Sequence, residues 1–136
     1  SNKVKHAVKI FDYIHSVDNL KLAEKISKEQ KKINKNIKLF IQINIGNENQ
    51  KSGINFEDTK NFLNICTNQF DLNVIGLMCI PPNDKETEKY FSEMHNLKKQ
   101  LDLSDLSMGM SNDYKLAVKY GATFIRIGSK LFGDRN

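Results

Sequence analysis

The stretch LSMGMSNDYKLAVKYGATFIRIGS, residues 106–129, holds two short apolar segments on either side of a helical one. Leu106–Met110 and Thr123–Ile127 have the length and composition of strands. The segment between them, Asp113–Tyr120, has helical spacing and stops at Gly121, a residue favoured just past the end of a helix. Two strands joined through a helix are typical of a parallel sheet, because parallel neighbours need a long crossover connection.

The same alternation extends back to the first residues of the chain. Asp18 or Asn19 is expected to cap the second helix, and the polar stretch Asn47–Gly53 is expected to be a loop. Five strands that alternate with helices predict an α/β protein with a parallel sheet, organised as a single domain over residues 1–136. The remaining predicted strands are Tyr13–Val17, Leu39–Ile45 and Val74–Ile80, and the remaining helices lie near Val4–Phe11, Leu20–Ile26, Thr59–Phe70 and Tyr90–Leu101.

Two architectures are compatible with this pattern. An open, doubly wound sheet of five strands suits the length, but such folds normally end on a covering helix, and little follows the last strand here. The alternative is part of a (β/α)8 barrel, which typically takes about 250 residues. A helix at the very start and Ser1 in place of Met favour a barrel piece that has lost its front. The strand pattern alone leaves both architectures open.

Composition argues against a membrane protein and against specific nucleic-acid binding. No apolar run approaches the roughly 18 residues that a spanning helix needs. The net charge is +5, yet Arg126 and Arg135 are the only arginines among 21 basic residues, and arginine is the residue suited to reading phosphates and bases. The two cysteines, Cys66 and Cys79, lack zinc-site spacing and lie in apolar patterns. We therefore expect buried, reduced thiols in a cytoplasmic protein.

Candidate functional residues follow the predicted strands. In α/β folds the reactive groups collect at the carboxyl ends of the strands, which places His15-Ser16, Asn44, Ser111 and Gly128-Ser129 at one edge. Loops after the last two strands of a barrel often bind phosphate through backbone N–H groups and hydroxyls. One interpretation is that Ser111 and Gly128-Ser129 form a phosphate site. The other is that Ser111 is only a helix cap and Gly128 only part of a turn.

Arg126 lies in an otherwise apolar strand, between Ile125 and Ile127. Its side chain points to one face of the sheet, and a buried guanidinium needs a partner because an unpaired buried charge is costly. Arg126 is therefore either one half of a structural salt bridge or a ligand-binding residue beside the phosphate site.

Several of these segments together resemble one known family, that of the pyridoxal phosphate homeostasis proteins, single-domain relatives of the alanine racemase barrel. The resemblance covers essentially the whole chain. It rests on Leu106–Asp113, Gly121–Thr123 and Arg126–Gly133, with Ser1–Lys5, Ile14–Asp18, Gln42–Asn44, Lys51–Ile54 and Gly76–Met78 in the same order and spacing.

The resemblance implies a (β/α)8 TIM-type barrel that carries pyridoxal 5′-phosphate (PLP), of which this chain supplies about five β/α units, strands four to eight. It implies that Arg126 faces the pyridine nitrogen of PLP, and that Ser111, Gly128 and Ser129 hold the phosphate. Where the family more often has Thr, Ser129 keeps the hydroxyl. Asn44, Ser16 and Met108 would line the cofactor pocket, and Lys51 would lie near its rim.

One departure from the family concerns the lysine that binds PLP covalently. That lysine lies on the first barrel strand of the family, before the segment that matches Ser1, and no lysine of this chain occupies the equivalent place. The resemblance implies a protein that binds PLP, buffers it and delivers it to PLP-dependent apoenzymes, monomeric when intact and without robust catalytic activity. A racemase-like, PLP-dependent amino-acid enzyme is the alternative; it would need a catalytic tyrosine, and the four tyrosines fit helix or core positions better. A basic binding module is the third class.

Overall fold

Strands and helices alternate along the part of the chain that the computed structural model describes, residues 2–49 and 52–126. The strands are β1 (Tyr13–Val17), β2 (Lys38–Asn44), β3 (Ile54–Asn55), β4 (Asn73–Met78), β5 (Asp105–Met110) and β6 (Phe124–Arg126). The α-helices are α1 (Asn2–Ile10), α2 (Leu20–Lys32), α3 (Thr59–Asn64), α4 (Thr87–Gln100) and α5 (Tyr114–Lys119). The final turn predicted over Gly128–Phe132 lies outside the described residues.

The strand order identifies the architecture. The sheet runs β1-β2-β4-β5-β6, every pairing is parallel, and the two-residue strand β3 adds to β2 off this path. A doubly wound sheet would reverse its order at a switch point, whereas a barrel adds each strand beside the previous one. The fold is a curled parallel half-barrel with its helices outside, which confirms the barrel alternative.

Both faces of the central strand β2 are buried, as parallel sheets require. Leu39, Ile41 and Ile43 belong to the core between the sheet and the helices, together with Val8 of α1, Ile26 of α2 and Phe91 of α4. Phe40 is fully buried on the opposite, concave face. We call this concave face the lumen.

Two helix ends are formed by the residues that the sequence predicts. Asn19 is the N-cap of α2, and its side chain accepts a hydrogen bond from the Leu22 N–H at 2.8 Å. Gly121 follows α5 with a φ of +95°. Its N–H donates to Val118 O, and the Ala122 N–H donates to Ala117 O, both at 3.0 Å, which is the Schellman arrangement.

Two other segments differ from the sequence-based expectation. The loop predicted over Asn47–Gly53 is followed by β3 and a 3-10 turn, Phe56–Asp58, neither of which was predicted. The helix predicted over Thr59–Phe70 changes at Ile65 to a π-helical turn, Ile65–Gln69, and the Phe70 N–H donates to Ile65 O at 3.2 Å.

A β-bulge in β5 depends on a glycine. Ser107 pairs with Phe124 and Met110 pairs with Arg126, so β5 has three steps where β6 has two. Gly109 lies in this bulge with a φ of +106°, and a Cβ there would lie 2.7 Å from the Ala117 Cβ. A residue with a side chain would therefore be strained in its backbone and would collide with α5.

Both cysteines are buried and form no disulfide, as expected from their apolar surroundings. Burial raises the pKa of Cys66 to about 11 and that of Cys79 to about 12. Both thiols are therefore protonated at neutral pH and are poor nucleophiles. Of the helices in the described ranges, none has the length and apolarity to cross a membrane.

Within the described residues, β1 is paired on one side only, and apolar side chains lie at that edge. Ile10 is 67% exposed and Phe11 is 54% exposed, directly before β1. Unpaired strand edges flanked by apolar side chains are sites of association.

We therefore predict that the purified 136-residue chain dimerises or aggregates. Phe11→Lys should weaken this association about tenfold, because it removes one large apolar side chain and adds a charge beside the edge. Sedimentation velocity over a concentration series measures the effect. Val118→Lys, a change at an exposed apolar residue of α5, is the matched control. A monomeric wild-type chain at high concentration, or equal effects of the two variants, would contradict the prediction.

Candidate functional site at the carboxyl edge of the sheet

The carboxyl ends of the main strands lie along one edge, since all the strands are parallel. This arrangement brings the segments that contain Ser16, Asn44, Ser111 and Arg126 to the same side of the molecule. The structure does not describe Lys51, Gly128 or Ser129, and the second half of the expected phosphate site therefore remains a prediction.

Ser111 lies in the turn between β5 and α5 and is half-buried. It is not the helix cap, since α5 begins at Tyr114 with Asp113 in the N-cap position. The Asp113 carboxylate instead accepts a hydrogen bond from the Met110 N–H at 2.7 Å, which fixes the turn that carries Ser111. No hydrogen bond joins the Ser111 hydroxyl to another described residue, and Ser111 lines a cleft.

A cleft of about 960 Å³ opens beside Ser111. Its walls are the loop after β4, which contains Pro81 and Pro82, and the turn before α5, with Glu48 at one side. Its size is in the range of small-molecule sites, which run from about 300 to 1,000 Å³.

Arg126 ends β6 directly beside this turn, opposite Met110 in the ladder. Arg126 lines a small cavity of about 10 Å³ together with Met78 and Ser107. None of the ion pairs among the described residues includes Arg126, so the salt-bridge interpretation finds no partner in that part of the chain. Arg126 is exposed and offers planar donors to a ligand.

Asn44 braces the loop after β2. Its side-chain NH₂ donates to Glu48 O at 2.6 Å, and its side-chain oxygen accepts from the Glu48 N–H at 3.0 Å. These two contacts hold the backbone of Glu48 against the side chain of Asn44, the last residue of β2. Because the amide is occupied by the loop backbone, Asn44 has a structural role whether or not it also touches a ligand.

The two remaining candidates differ in accessibility. Ser16 is exposed and lies where β1 is irregular, between the paired residues Ile14 and Val17. Met108 is 3% exposed and belongs to the core between sheet and helices, although its backbone region also borders the cavity beside Arg126. The structure therefore brings Ser111 and Arg126 closest in the sheet, at the ends of the paired strands β5 and β6.

Sequence reasoning placed His15 at a strand end but missed Ser107 as a site residue, and it missed the contact between the two in the lumen. His15 Nδ1 and Ser107 Oγ are 2.8 Å apart and share a hydrogen bond that joins β1 to β5. Ser107 is 3% exposed. His15 stands at a predicted strand end, which was a signal of its importance, but its partner lies 92 residues further along the chain and no short motif connects them.

The surroundings of His15 keep its imidazole neutral. Desolvation by burial is the main cause that lowers the pKa of His15 below its usual value of 6.5, and the positive charge of Arg126 lowers it further. The imidazole therefore presents an uncharged donor and acceptor to the lumen at neutral pH.

Sequence comparison defines the class of protein. The alanine racemase N-terminal domain family matches residues 1–136, and the chain belongs to this family. Within it, the chain is 37% identical to the pyridoxal phosphate homeostasis protein of Aquifex aeolicus over 99% of its own length. It spans 63% of that relative, so the whole protein's activity is treated below as a proposal.

The solved structures agree with this assignment. PipY of Synechococcus elongatus without PLP has a TM-score of 0.86 and 36% identity, covering 98% of this chain and 66% of PipY. PipY with PLP bound has a TM-score of 0.82 and 35% identity, covering 97% of this chain and 66% of PipY. The resemblance inferred from the sequence motifs is thereby confirmed.

The brace at Asn44 leads to a stability prediction. Asn44→Ala should lower the free energy of unfolding by about 1–2 kcal/mol, since it removes both loop contacts. Urea unfolding measures the change, with Asn49→Ala, an exposed residue of the same loop, as the control. Equal midpoints for Asn44→Ala and the wild-type chain would show that the loop does not depend on Asn44.

Proposed function

We propose that the protein binds PLP and serves in its homeostasis, and that residues 1–136 are one domain, the part of a PLP-binding barrel that includes strands four to eight. The observation that carries this proposal is the placement of Ser111 and Arg126 at the carboxyl ends of the neighbouring strands β5 and β6, with an open cleft beside Ser111. The similarity to PipY, one structure of which holds PLP, supports the choice of ligand.

The described residues fit a planar aromatic ring with an anionic group. Ser111 supplies a hydroxyl at the cleft, Arg126 supplies a guanidinium, and the exposed Met110, which lines the cleft and pairs with Arg126, supplies apolar, polarisable surface. A phosphate takes hydrogen bonds from hydroxyls and backbone N–H groups, and a pyridine nitrogen accepts from a guanidinium. The donor set therefore matches both ends of PLP.

Each residue has a defined role in this proposal. Ser111 holds the phosphate together with Gly128 and Ser129 of the following loop, while Arg126 donates to the ring nitrogen. Asn44, Ser16 and Met108 shape the pocket around the ring. Bound PLP supplies an electron-withdrawing ring and a reactive aldehyde, and a donor such as Arg126 keeps the ring nitrogen unprotonated, which weakens the ring as an electron sink.

That tuning favours storage and delivery of PLP over turnover of a substrate. The proposed partners are PLP itself and the apoenzymes that receive it. Two of the four tyrosines give little support to a racemase-like activity: the Tyr90 hydroxyl donates to Asp84 at 3.0 Å and the Tyr120 hydroxyl donates to Glu88 at 2.6 Å. The pKa of each is raised, Tyr90 by burial and by Asp84, and Tyr120 by its hydrogen bond to Glu88.

The proposal predicts saturable PLP binding that depends on Ser111 and Arg126. Ser111→Ala and Arg126→Met should each raise the Kd about tenfold or more, because each removes a charge-assisted or polar contact. Isothermal titration of the 136-residue chain measures this. Ser104→Ala, which changes a serine next to the opposite end of β5, and Lys99→Met, which removes a charge from α4, are the controls. Binding that is indifferent to Ser111 and Arg126 would refute the proposed site.

A second prediction concerns covalent attachment. None of the lysines in this chain is expected to bind PLP stoichiometrically, since covalent capture needs a lysine that is deprotonated and held near the aldehyde. The chain is mixed with PLP, reduced with borohydride and weighed intact by mass spectrometry. Sub-stoichiometric labelling spread over surface lysines is the expected result. A single stoichiometric adduct at one lysine would show that this chain has its own attachment site.

A further inference from the structure

The lumen contains a hydrogen-bonded pair, His15 and Ser107, to which the proposed function assigns no role. The pair crosses the concave face from β1 to β5, and the 2.8 Å contact connects two strands that are not neighbours in the sheet. This contact contributes to stability, because a buried hydroxyl without a hydrogen-bond partner lowers the free energy of unfolding.

Aromatic rings hold the imidazole in place. The ring of His15 lies 4.2 Å from that of Phe40, centroid to centroid, and meets Phe124 edge-on at 5.2 Å. Phe124 also packs against Phe40 at 5.2 Å and against Tyr13 at 5.3 Å. These contacts fix the beginning of β6 against β1 and β2.

Arg126 is connected to this cluster in two ways. It follows Phe124 by two positions on β6, so both side chains are on the lumen face. It also lines the same narrow cavity as Ser107, the partner of His15. Phe124 and Arg126 thus share one short strand, and Ser107 and Arg126 share one cavity.

We propose that the His15–Ser107 pair positions the guanidinium of Arg126 toward an uncharged acceptor atom of the ligand, namely a ring nitrogen. This inference rests on the proposed function. A carboxylate in place of His15 would form an ion pair with Arg126 and turn it away from the ligand. A neutral imidazole whose Nδ1 is hydrogen-bonded to Ser107 carries no charge that could form such an ion pair.

The charged groups around His15 are consistent with this role. The Lys38 ammonium lies 5.2 Å from the centroid of the Tyr13 ring, at the outer side of the cluster. The Asp105 carboxylate, two positions before Ser107, accepts from the Thr123 hydroxyl at 2.9 Å. Among the described residues, the positive charge of Arg126 lowers the pKa of His15 beyond the effect of burial.

The sign of the pH dependence follows from that lowered pKa. The unfolded chain protonates its histidine near 6.5, whereas folded His15 protonates at lower pH. Above pH 6.5, His15 is neutral in both the folded and the unfolded chain, and its titration does not affect the free energy of unfolding. As the pH falls from 6.5 through the lower pKa of folded His15, the unfolded chain binds the proton more readily, and the free energy of unfolding decreases.

The first arm of the test compares PLP with an analogue in which C–H replaces the ring nitrogen. Ser107→Ala should raise the Kd for PLP about three- to tenfold, the size of one hydrogen bond, and the Kd for the analogue less than about twofold. Added to Arg126→Met, Ser107→Ala should have little further effect on either ligand. Ser27→Ala is the matched control, since Ser27 is also buried and donates to Phe70 O at 2.7 Å, away from the lumen.

Equal weakening of both ligands by Ser107→Ala would overturn the proposal, because a purely structural role would affect them alike. The second arm needs no ligand. NMR titration of the His15 imidazole should give a higher pKa in Arg126→Met than in the wild-type chain. An unchanged pKa would also overturn the inference. If the wild-type chain binds neither ligand, the proposed function fails and this inference fails with it, whereas an unchanged His15 pKa beside normal PLP binding would overturn this inference alone.

Discussion

One extra residue in β5 determines the geometry of the candidate site. Because three steps of β5 match two steps of β6, Ser107 and Met110 both stand opposite lumen-facing residues of β6, Phe124 and Arg126. Without the bulge, residues three apart would face opposite sides of the sheet. The bulge requires Gly109, since its φ is positive and its Cβ position is taken by Ala117. A packing contact between β5 and α5 thus decides where Ser111 and Arg126 meet.

The polarity of the site changes from the lumen to the rim. The lumen holds packed aromatic rings and a neutral His15. At the rim, Ser111 and the turn before α5 offer polar groups beside an open cleft. A ligand with an uncharged aromatic body and an anionic end suits this gradient, because its ring loses little hydration in the lumen while its charge stays near water. The same gradient would disfavour a uniformly charged ligand.

Much of the fold could be predicted from local patterns. The period of apolar residues located all five main strands to within a few residues, and Gly121 marked the end of α5 because only the left-handed conformation closes a Schellman cap there. The pattern could not choose between a barrel and a doubly wound sheet, because strand order is a property of long-range pairing. The family motifs supplied that choice.

The candidate site was less accessible to sequence reasoning. Ser111 and Arg126 were found from their positions after strands and from the family motifs. The hydrogen bonds between the Asn44 side chain and its own loop could not be predicted from the sequence, since any Asn at a strand end has the same sequence signature. The π-helical turn at Ile65 and the bulge at Gly109 each involve a local change in hydrogen bonding that apolar periodicity does not record. The contact between His15 and Ser107 was missed because residues that meet across the lumen share no sequence periodicity.

That same contact connects the fold to the site. Each main strand pairs with the next along the chain, so the sheet and its outer core can be built from consecutive units. Ladder pairing alone does not fix how strongly the sheet curls. The contacts that cross the concave face do so: His15 to Ser107 and Tyr13 to Phe124 join β1 to β5 and β6. A ligand that binds Ser111 and Arg126 only when they are held in this curled arrangement stabilises it by mass action. The affinity for such a ligand is therefore coupled to the stability of the curled sheet. A substitution that weakens the contacts across the lumen is expected to weaken ligand binding, and the bound ligand is expected to stabilise the curled sheet.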